Sequence, residues 1–167
     1  RSPRSIVDEI KTVVSDYSIR HFHIVDDVMT LWPDHITEIC DLLDEEGLSI
    51  TFEGSTRANL ITDDIIKRLV KSGLIRLSFG LETVDSEMRK TMKKKVPLEH
   101  YINANKILNK YNVEALNSVM IGLPGETRET VEKTLVFLEN SQDIKQANFA
   151  ITVPYPGTEL HEIAKEG

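Results

Sequence analysis

The chain has 167 residues, of which 40% are hydrophobic and 28% charged, and its formal net charge is -7. This composition is that of an ordinary globular domain and excludes a disordered or collagen-like chain. The acidic balance argues against a nucleic-acid-binding surface, which needs a basic face, and no apolar run is long enough to cross a membrane. We therefore expect a small-molecule partner.

Helical and strand-like patterns alternate along the chain. Apolar spacing and capping residues predict helices over Ser5–Tyr17, Pro33–Glu46, Asp63–Ser72, Ser86–Met92, Leu98–Tyr111, Arg128–Asn140 and Glu159–Lys165. Strands are predicted over His21–Val25, Leu48–Glu53, Ile75–Leu81, Leu116–Ile121 and Ala147–Val153. The alternation predicts right-handed βαβ units and a parallel α/β sheet, either doubly wound or an arc of a barrel too short to close with eight strands.

Cys40 is the only cysteine, so the chain forms no internal disulfide, and a reducing, cytoplasmic compartment is expected. The sequence begins at Arg1 without a methionine and ends on Glu166 and Gly167. From this we expect residues 1–167 to be a single domain that is part of a longer protein.

The segment Asn117–Thr130, NSVMIGLPGETRET, is the most informative part of the chain. Its short apolar run predicts a strand buried on both faces. Gly122 and Gly125 allow a backbone path that other residues avoid, and Pro124 stiffens it. Because ligands of parallel α/β proteins bind at the carboxyl ends of the strands, this corner is predicted to border a ligand.

Polar residues also follow the other predicted strands. They are Asp26 and Asp27, Glu53 and Arg57, Glu82 and Thr83, and Tyr155 to Thr158. The carboxyl ends of parallel strands meet at one edge, so these residues are predicted to line a single mouth. No GxGxxG follows the first strand, which argues against a dinucleotide-binding domain.

The motifs VDD, FEGSTR, LSFGLET, MKKK, MIGLPGET and PYPGTEL, in this order, resemble the radical S-adenosylmethionine (radical SAM) superfamily. The resemblance covers nearly the whole chain and is strongest to the branch that often bears a cobalamin-binding domain. It implies an incomplete (β/α)6 barrel, a partial TIM-type barrel with five visible strands and the first strand missing. It also implies an enzyme that cleaves SAM to a 5'-deoxyadenosyl radical for hydrogen abstraction or methyl transfer.

The resemblance implies three cofactors for the longer protein: SAM, a 4Fe-4S cluster and, where the extra domain is present, cobalamin. The family binds its cluster through a CxxxCxxC loop after the first strand, and that loop is absent from this sequence. Cys40 cannot replace three thiolates. We therefore expect the chain alone to be inactive.

Family position also implies which residues hold the methionine end of SAM. Asp26 and Asp27 take the place that contacts the amino group, Glu82 that of a polar contact, and Lys94 that of the partner of the carboxylate. For one of the two aspartates the alternative is capping of the next turn. For the lysines of MKKK the alternative is a solvated surface, and Lys94 is favoured over its neighbours.

The resemblance places the ribose near Glu53 and Ser118, and the adenine along Met120 to Gly122 beside Pro124. Arg57 is a further cofactor-binding candidate. A buried Glu53–Arg57 pair is the alternative for the first site, and core filling is the alternative for Met120.

Two other functions stay open. His21 and His23, with the aspartates after the strand, are compatible with a metal-dependent hydrolase on a barrel. However, His23 lies about 13 Å before Asp27 at about 3.3 Å per residue, so one metal cannot reach both without a sharp bend. The other possibility is an inert scaffold, whose exposed edge strand favours self-association.

Overall fold

In a computed structural model that describes residues 1–166, helices and strands alternate along the chain. The strands are β1 (His21–Ile24), β2 (Thr51–Ser55), β3 (Leu74–Glu82), β4 (Glu114–Ile121) and β5 (Ala147–Ile151). The helices are α1 (Pro3–Tyr17), α2 (Pro33–Glu45), α3 (Asp63–Lys71), α4 (Ser86–Thr91), α5 (Leu98–Lys110), α6 (Arg128–Asn140) and α7 (Glu159–Glu166), with a 3-10 turn at Ala58–Leu60. Within this range, no helix has the length and apolarity needed to cross a bilayer.

The sheet has five parallel strands in the order β1-β2-β3-β4-β5. Each βαβ unit therefore adds its strand on the same side of the sheet, whereas a doubly wound sheet reverses direction at a switch point. The predicted α/β class and parallel sheet are confirmed, and of the two architectures the arrangement is the arc of a barrel.

Capping residues explain why the helix bounds agree with the predicted ones to within a few residues. The Thr62 hydroxyl accepts the Ile65 N–H ahead of α3, and Thr127 with Thr130 forms a capping box ahead of α6. Gly47 follows α2 with φ +64°, a left-handed conformation that suits glycine. The boundaries are therefore set by local chemistry that can be read from the sequence.

The predicted bounds of the second strand are wrong. The strand begins at Thr51 and ends at Ser55, because the Leu48 N–H donates to the carbonyl oxygen of Leu43 (2.9 Å) and closes the end of α2. Glu53 consequently lies in the middle of β2. It does not stand at the carboxyl end of the strand, where it was expected.

The two faces of the sheet differ in chemistry. One face packs against the helices and supplies core residues that include Phe52, Leu77, Phe79, Leu81 and Val119. The opposite face, here called the open face, carries polar side chains at alternate positions. They include His21, His23, Thr51, Glu53, Ser55, Arg76, Ser78, Glu82, Glu114 and Ser118. A complete TIM barrel fills this space with branched apolar residues, so the polar lining indicates a lumen that accommodates polar groups.

Candidate functional site

An ion pair between Glu82 and Lys94 lies at the carboxyl end of β3. Lys94 Nζ is 3.2 Å from Glu82 Oε1, and the two side chains are 25% and 17% exposed for lysine and glutamate respectively. The pairing of β3 with β4 shifts register between Gly80 and Glu82, and Glu82 has φ +64°. A Cβ at Gly80 would lie 2.0 Å from Glu82 Oε1. The carboxylate therefore folds back over Gly80, which only glycine allows in this geometry.

A cationic pocket of about 320 Å³ adjoins this pair. Its lining includes Arg57, Lys93, Lys94, Lys95 and Tyr101. This concentration of cations contrasts with the net charge of -7 of the whole chain. Charge-assisted hydrogen bonds to a carboxylate or phosphate are the interactions that such a lining supports best.

A second pocket, of about 410 Å³, is largely apolar and is called here the methionine pocket. It is lined by Met88, Met92, Met120, Leu123, Pro124, Leu160 and Ile163, among others. Lys93 lines both pockets, so they are neighbours, and its Nζ lies 2.9 Å from Glu159 Oε2. Methionine side chains adapt to flat, polarizable groups, so this pocket suits an aromatic ring.

The loop after β4 has the backbone expected from its glycines. Gly122 and Gly125 have φ +89° and +79°. The Gly122 N–H donates to Glu126 Oε2 at 2.5 Å, and the Glu126 N–H donates to the Leu123 carbonyl at 3.0 Å. The loop therefore holds its own shape through internal hydrogen bonds, with Pro124 at the methionine pocket.

The two aspartates after β1 differ. Asp26 Oδ1 accepts the Val28 N–H at 3.0 Å, so Asp26 has the turn-capping role that was the alternative for one of the pair. Asp27 is exposed beside it. Both aspartates are exposed at the end of β1, so only the turn hydrogen bond of Asp26 distinguishes them.

Glu53 belongs to a row of ionic side chains on the open face, here called the charged row. His23 Nδ1 lies 3.1 Å from Glu53 Oε1, and Arg76 Nη1 lies 2.7 Å from Glu53 Oε2. Arg76 Nη2 lies 2.7 Å from Glu114 Oε2. The hydrogen bond with His23, followed by the charge of Arg76, lowers the pKa of Glu53 from its ordinary value. The partner is Arg76, so the alternative Glu53–Arg57 pair is wrong.

The charged row lies apart from the strand-end site. Glu53 pairs in register with Arg76, whereas Ser118 pairs with Gly80, four residues further along β3. Four residues correspond to about 13 Å along a strand. The structure thus gathers Glu82, Lys94, Arg57, Met120, Gly122 and Pro124 at or near the carboxyl edge, with Ser118 just inside it and Glu53 well below.

Three residues of this region were missed by sequence reasoning. Arg76 shares the period-two face of Glu82 in IRLSFGLE, which was a usable signal. Arg89 is buried, although it lies in the charged segment EMRKTMKKK, where a solvated surface is the ordinary expectation. Tyr101 is buried on α5, and that burial raises the pKa of its hydroxyl.

Metal-ligand chemistry finds little support in the described part of the chain. Residues 1–166 contain no group of three or more histidine, cysteine, aspartate or glutamate residues placed to hold a metal. His21 Nδ1 instead lies 3.0 Å from Thr51 Oγ1, and His23 is engaged with Glu53. Cys40 is buried on α2, where burial raises the pKa of its thiol. The hydrolase alternative is therefore not favoured, and the donor set does not fit a 4Fe-4S cluster.

Comparison with protein families identifies the fold. The model of the radical SAM superfamily matches residues 1–138. The chain belongs to the radical SAM superfamily. This membership confirms the resemblance seen in the motifs, and the cofactors it implies for the family are SAM and a 4Fe-4S cluster.

Two curated relatives cover nearly all of the chain. An uncharacterized methyltransferase of Pyrococcus horikoshii is 32% identical over 163 residues, which are 98% of this chain and 35% of that protein. An anaerobic magnesium-protoporphyrin IX monomethyl ester cyclase of Rubrivivax gelatinosus is 26% identical over 164 residues, 97% of this chain and 29% of that protein. The chain thus spans about a third of the length of these relatives.

A solved structure shows the same fold. The radical SAM methyltransferase TsrM of Kitasatospora setae, with cobalamin and a 4Fe-4S cluster bound, superposes with a TM-score of 0.84 at 16% identity. The match covers 99% of this chain and 32% of that one. The partial-barrel architecture predicted for the radical SAM core is thereby confirmed.

Proposed function

We propose that this chain supplies the SAM-binding part of a radical SAM enzyme. The observation that carries the proposal is the Glu82–Lys94 pair over Gly80, set between a cationic pocket and the methionine pocket. SAM bound beside a reduced cluster supplies a 5'-deoxyadenosyl radical for hydrogen abstraction or methyl transfer. With Cys40 as the only cysteine, the cluster ligands belong to residues outside this chain.

The ion pair suits the methionine end of SAM, which carries a carboxylate and an ammonium group. Lys94 Nζ binds the carboxylate and Glu82 accepts from the ammonium, so that each protein charge exchanges its partner for one on the ligand. Arg57 in the cationic pocket adds a second donor. Asp27 stands at the neighbouring strand end as a further acceptor for the ammonium, while Asp26 shapes the turn through Val28.

The methionine pocket suits the adenosine end. Met120, with Pro124 and Leu123 beside it, packs against the adenine ring and excludes water from it. Ser118 lies on the open face just below and donates to the ribose. Thr152 Oγ1, beside Gly122, is the buried side-chain oxygen for which residues 1–166 provide no hydrogen-bond partner. This oxygen is buried and lies outside the lining of the methionine pocket, so we assign it no ligand contact.

Binding of the ribose by Glu53 remains a prediction. The contacts that Glu53 already makes would have to be broken for it. Both carboxylate oxygens already contact His23 or Arg76. Ribose hydroxyls have to displace one of these contacts, whereas Ser118 lies nearer the strand ends. We therefore propose that Ser118, in preference to Glu53, binds the ribose.

The wider context of the enzyme follows from its relatives. The Pyrococcus relative is named a methyltransferase and TsrM is one, which favours methyl transfer over the other outcomes. TsrM has been solved with tryptophan and a SAM analog, which supports a small-molecule substrate here, and cobalamin is a further cofactor candidate for the longer protein. The net charge of -7 disfavours a nucleic-acid partner.

Three further expectations are part of the proposal. Residues 1–167 form one domain, a radical SAM core that the longer protein extends. The buried free thiol of Cys40 fits a reducing cytoplasm. The unpaired side of β1, at the end of the strand order, favours self-association of this chain when it is produced alone.

Substitution of two lysines tests the SAM site. In the full-length protein, handled anaerobically, we expect Lys94→Met to weaken SAM affinity about tenfold, because a charge-assisted hydrogen bond to the ligand carboxylate is lost. Lys90→Met is the control, since Lys90 pairs with Glu87 on the exposed side of α4 and lines neither pocket, and it should change affinity by less than about threefold. Equilibrium dialysis with SAM gives both values. Equal effects, or none, would overturn the proposal.

A further inference from the structure

Arg89 is a buried cation in α4 whose guanidinium donates to three backbone carbonyls. It is 7% exposed. Its Nη1 donates to the carbonyls of Leu81 (3.2 Å) and Thr83 (2.9 Å), and its Nη2 donates to the carbonyl of Val96. Among residues 1–165, no carboxylate lies within ion-pair distance of this guanidinium. Burial of a charge costs free energy unless its hydrogen-bond donors have acceptors. The contacts with the three carbonyls therefore indicate that Arg89 holds the backbone.

The hydrogen bonds of Arg89 reach the backbone next to both members of the Glu82–Lys94 pair. Leu81 and Thr83 flank Glu82 in sequence, and the backbone carbonyl of Arg89 itself accepts the N–H of Lys94 at 2.8 Å. A single residue therefore holds the end of β3 with its side chain and the start of the lysine run with its backbone. The rigid fork of the guanidinium fixes the geometry between them.

Tyr101 completes this support from α5. The guanidinium carbon of Arg89 lies 5.5 Å from the centre of the Tyr101 ring, and the Tyr101 hydroxyl donates to the carbonyl of Gly80 at 2.9 Å. Arg89 and Tyr101 together thus hold every backbone carbonyl from Gly80 to Thr83 except that of Glu82 itself.

The backbone at this point needs such support. Glu82 and Lys93 both have left-handed conformations, with φ +64° and +55°. Residues other than glycine adopt this conformation at a cost, and they keep it only where surrounding contacts determine the backbone. Without the carbonyl contacts, the strand end and the lysine run would relax independently of each other.

We propose that Arg89 is a positioning residue for the SAM site, holding Glu82 and Lys94 at the spacing that the methionine end of SAM requires. The inference rests on the proposed function, because it acts through Lys94 and Glu82. It assigns to Arg89 no contact with the ligand. Its effect on binding must therefore depend on the presence of Lys94.

A double-mutant cycle in the full-length protein tests this dependence. Arg89→Lys retains the charge and removes the fork, and we expect it to weaken SAM affinity about tenfold, as misplacement of a binding group does. In the Lys94→Met background the same change should have a smaller effect, about threefold, because only the placement of Glu82 is then left to disturb. Lys90→Met, on the exposed side of α4, is the control and should have no effect. Equilibrium dialysis reports affinity, and thermal unfolding reports the folded fraction.

The outcomes separate the two proposals. If Lys94→Met leaves SAM affinity unchanged, the proposed site is wrong. If Lys94→Met weakens binding but Arg89→Lys has no effect, or an equal effect in both backgrounds, the positioning role is wrong. Should Arg89→Lys fail to fold, Tyr101→Phe removes only the hydrogen bond to Gly80. We expect it to weaken affinity about threefold when Lys94 is present and less when Lys94 is absent; an equal loss in both backgrounds contradicts the inference.

Discussion

The charged row and the Glu82–Lys94 pair are both ionic, and both lie on the open face, yet they are built differently. The charged row joins Glu53, Arg76 and Glu114, which pair directly across three neighbouring strands, although the register of β2 against β3 also shifts just before Glu53. The strand-end pair sits beyond a shift of register, with a left-handed residue at Glu82. Charges that pair directly across strands thus satisfy one another, whereas the charges at the strand end, where Glu82 is left-handed, stand beside pockets where a ligand can take their place.

The difference also concerns what each group stabilises. In the charged row a single arginine pairs with two carboxylates, so it contributes to the stability of the sheet. At the strand end, the cationic pocket has more lysine and arginine side chains than the single carboxylate, that of Glu82, with which Lys94 pairs. We therefore expect changes in the row to act on stability and changes at the strand end to act on ligand affinity.

The largest effect expected from this contrast is that of Gly80→Val. The new side chain occupies the position of the Glu82 carboxylate, since even its Cβ would lie 2.0 Å from Oε1. We expect SAM affinity of the full-length protein to fall about a hundredfold, or about 2.8 kcal/mol, by equilibrium dialysis. Ser78→Val places the same side chain one step lower on the open face and should leave affinity within about threefold. Similar losses of SAM affinity in both variants would contradict the distinction between the strand-end pair and the rest of the open face.

A smaller effect, on stability, is expected from Arg76→Met. The change leaves Glu53 and Glu114 facing each other without a cation. Because Arg76 is 38% exposed, solvent screens part of the cost, and we expect unfolding to require about 1–2 kcal/mol less by urea denaturation. Arg128→Met, whose surface pair with Glu132 involves a 93% exposed arginine, should cost less than about 0.5 kcal/mol. Unchanged stability together with lost SAM affinity would reverse the roles assigned to the two regions.

The smallest effect concerns the pH dependence of stability. Contact with His23 and Arg76 lowers the pKa of Glu53 in the folded state. Ionised Glu53 therefore contributes stability above its unfolded pKa, about 4.3, and this contribution is lost as the pH falls through the lower folded value. The stability difference between the wild type and Glu53→Gln should be largest near pH 7 and shrink below about pH 4. Urea denaturation at several pH values measures it.

The control for this pH series is Glu132→Gln, because its surface pair with Arg128 is screened by solvent. It should show little difference from the wild type at any pH. A Glu53→Gln difference that stays constant from pH 7 to pH 3 would mean that the carboxylate gains nothing from the charged row.

The sequence was sufficient for most of the fold. Caps such as Thr62 and Thr127 mark the helix starts, and period-two patterns mark the strands. The start of β2 was misplaced because Leu48 satisfies both a strand pattern and the last turn of α2, and only the hydrogen bond to Leu43 decides between them. Local patterns predict elements well wherever one reading is physically favoured.

The candidate site was less accessible to sequence reasoning. Glu82 and Lys94, which we propose to bind SAM, were identified through family motifs, but the residues that support them were not. Arg89 was missed because burial of an arginine in a lysine-rich segment depends on carbonyls that only the folded chain brings together. Likewise, the row around Arg76 depends on cross-strand register, which no single strand specifies.

The left-handed backbone of Glu82 has a consequence for protein engineering. A glycine at this position would avoid a conformational cost of about 1–2 kcal/mol. A screen that rewards heat resistance alone would therefore favour Glu82→Gly and discard the carboxylate. Variants of this domain selected for durability should be assayed for SAM binding at every round, since at this residue the most stable backbone and the useful side chain are mutually exclusive.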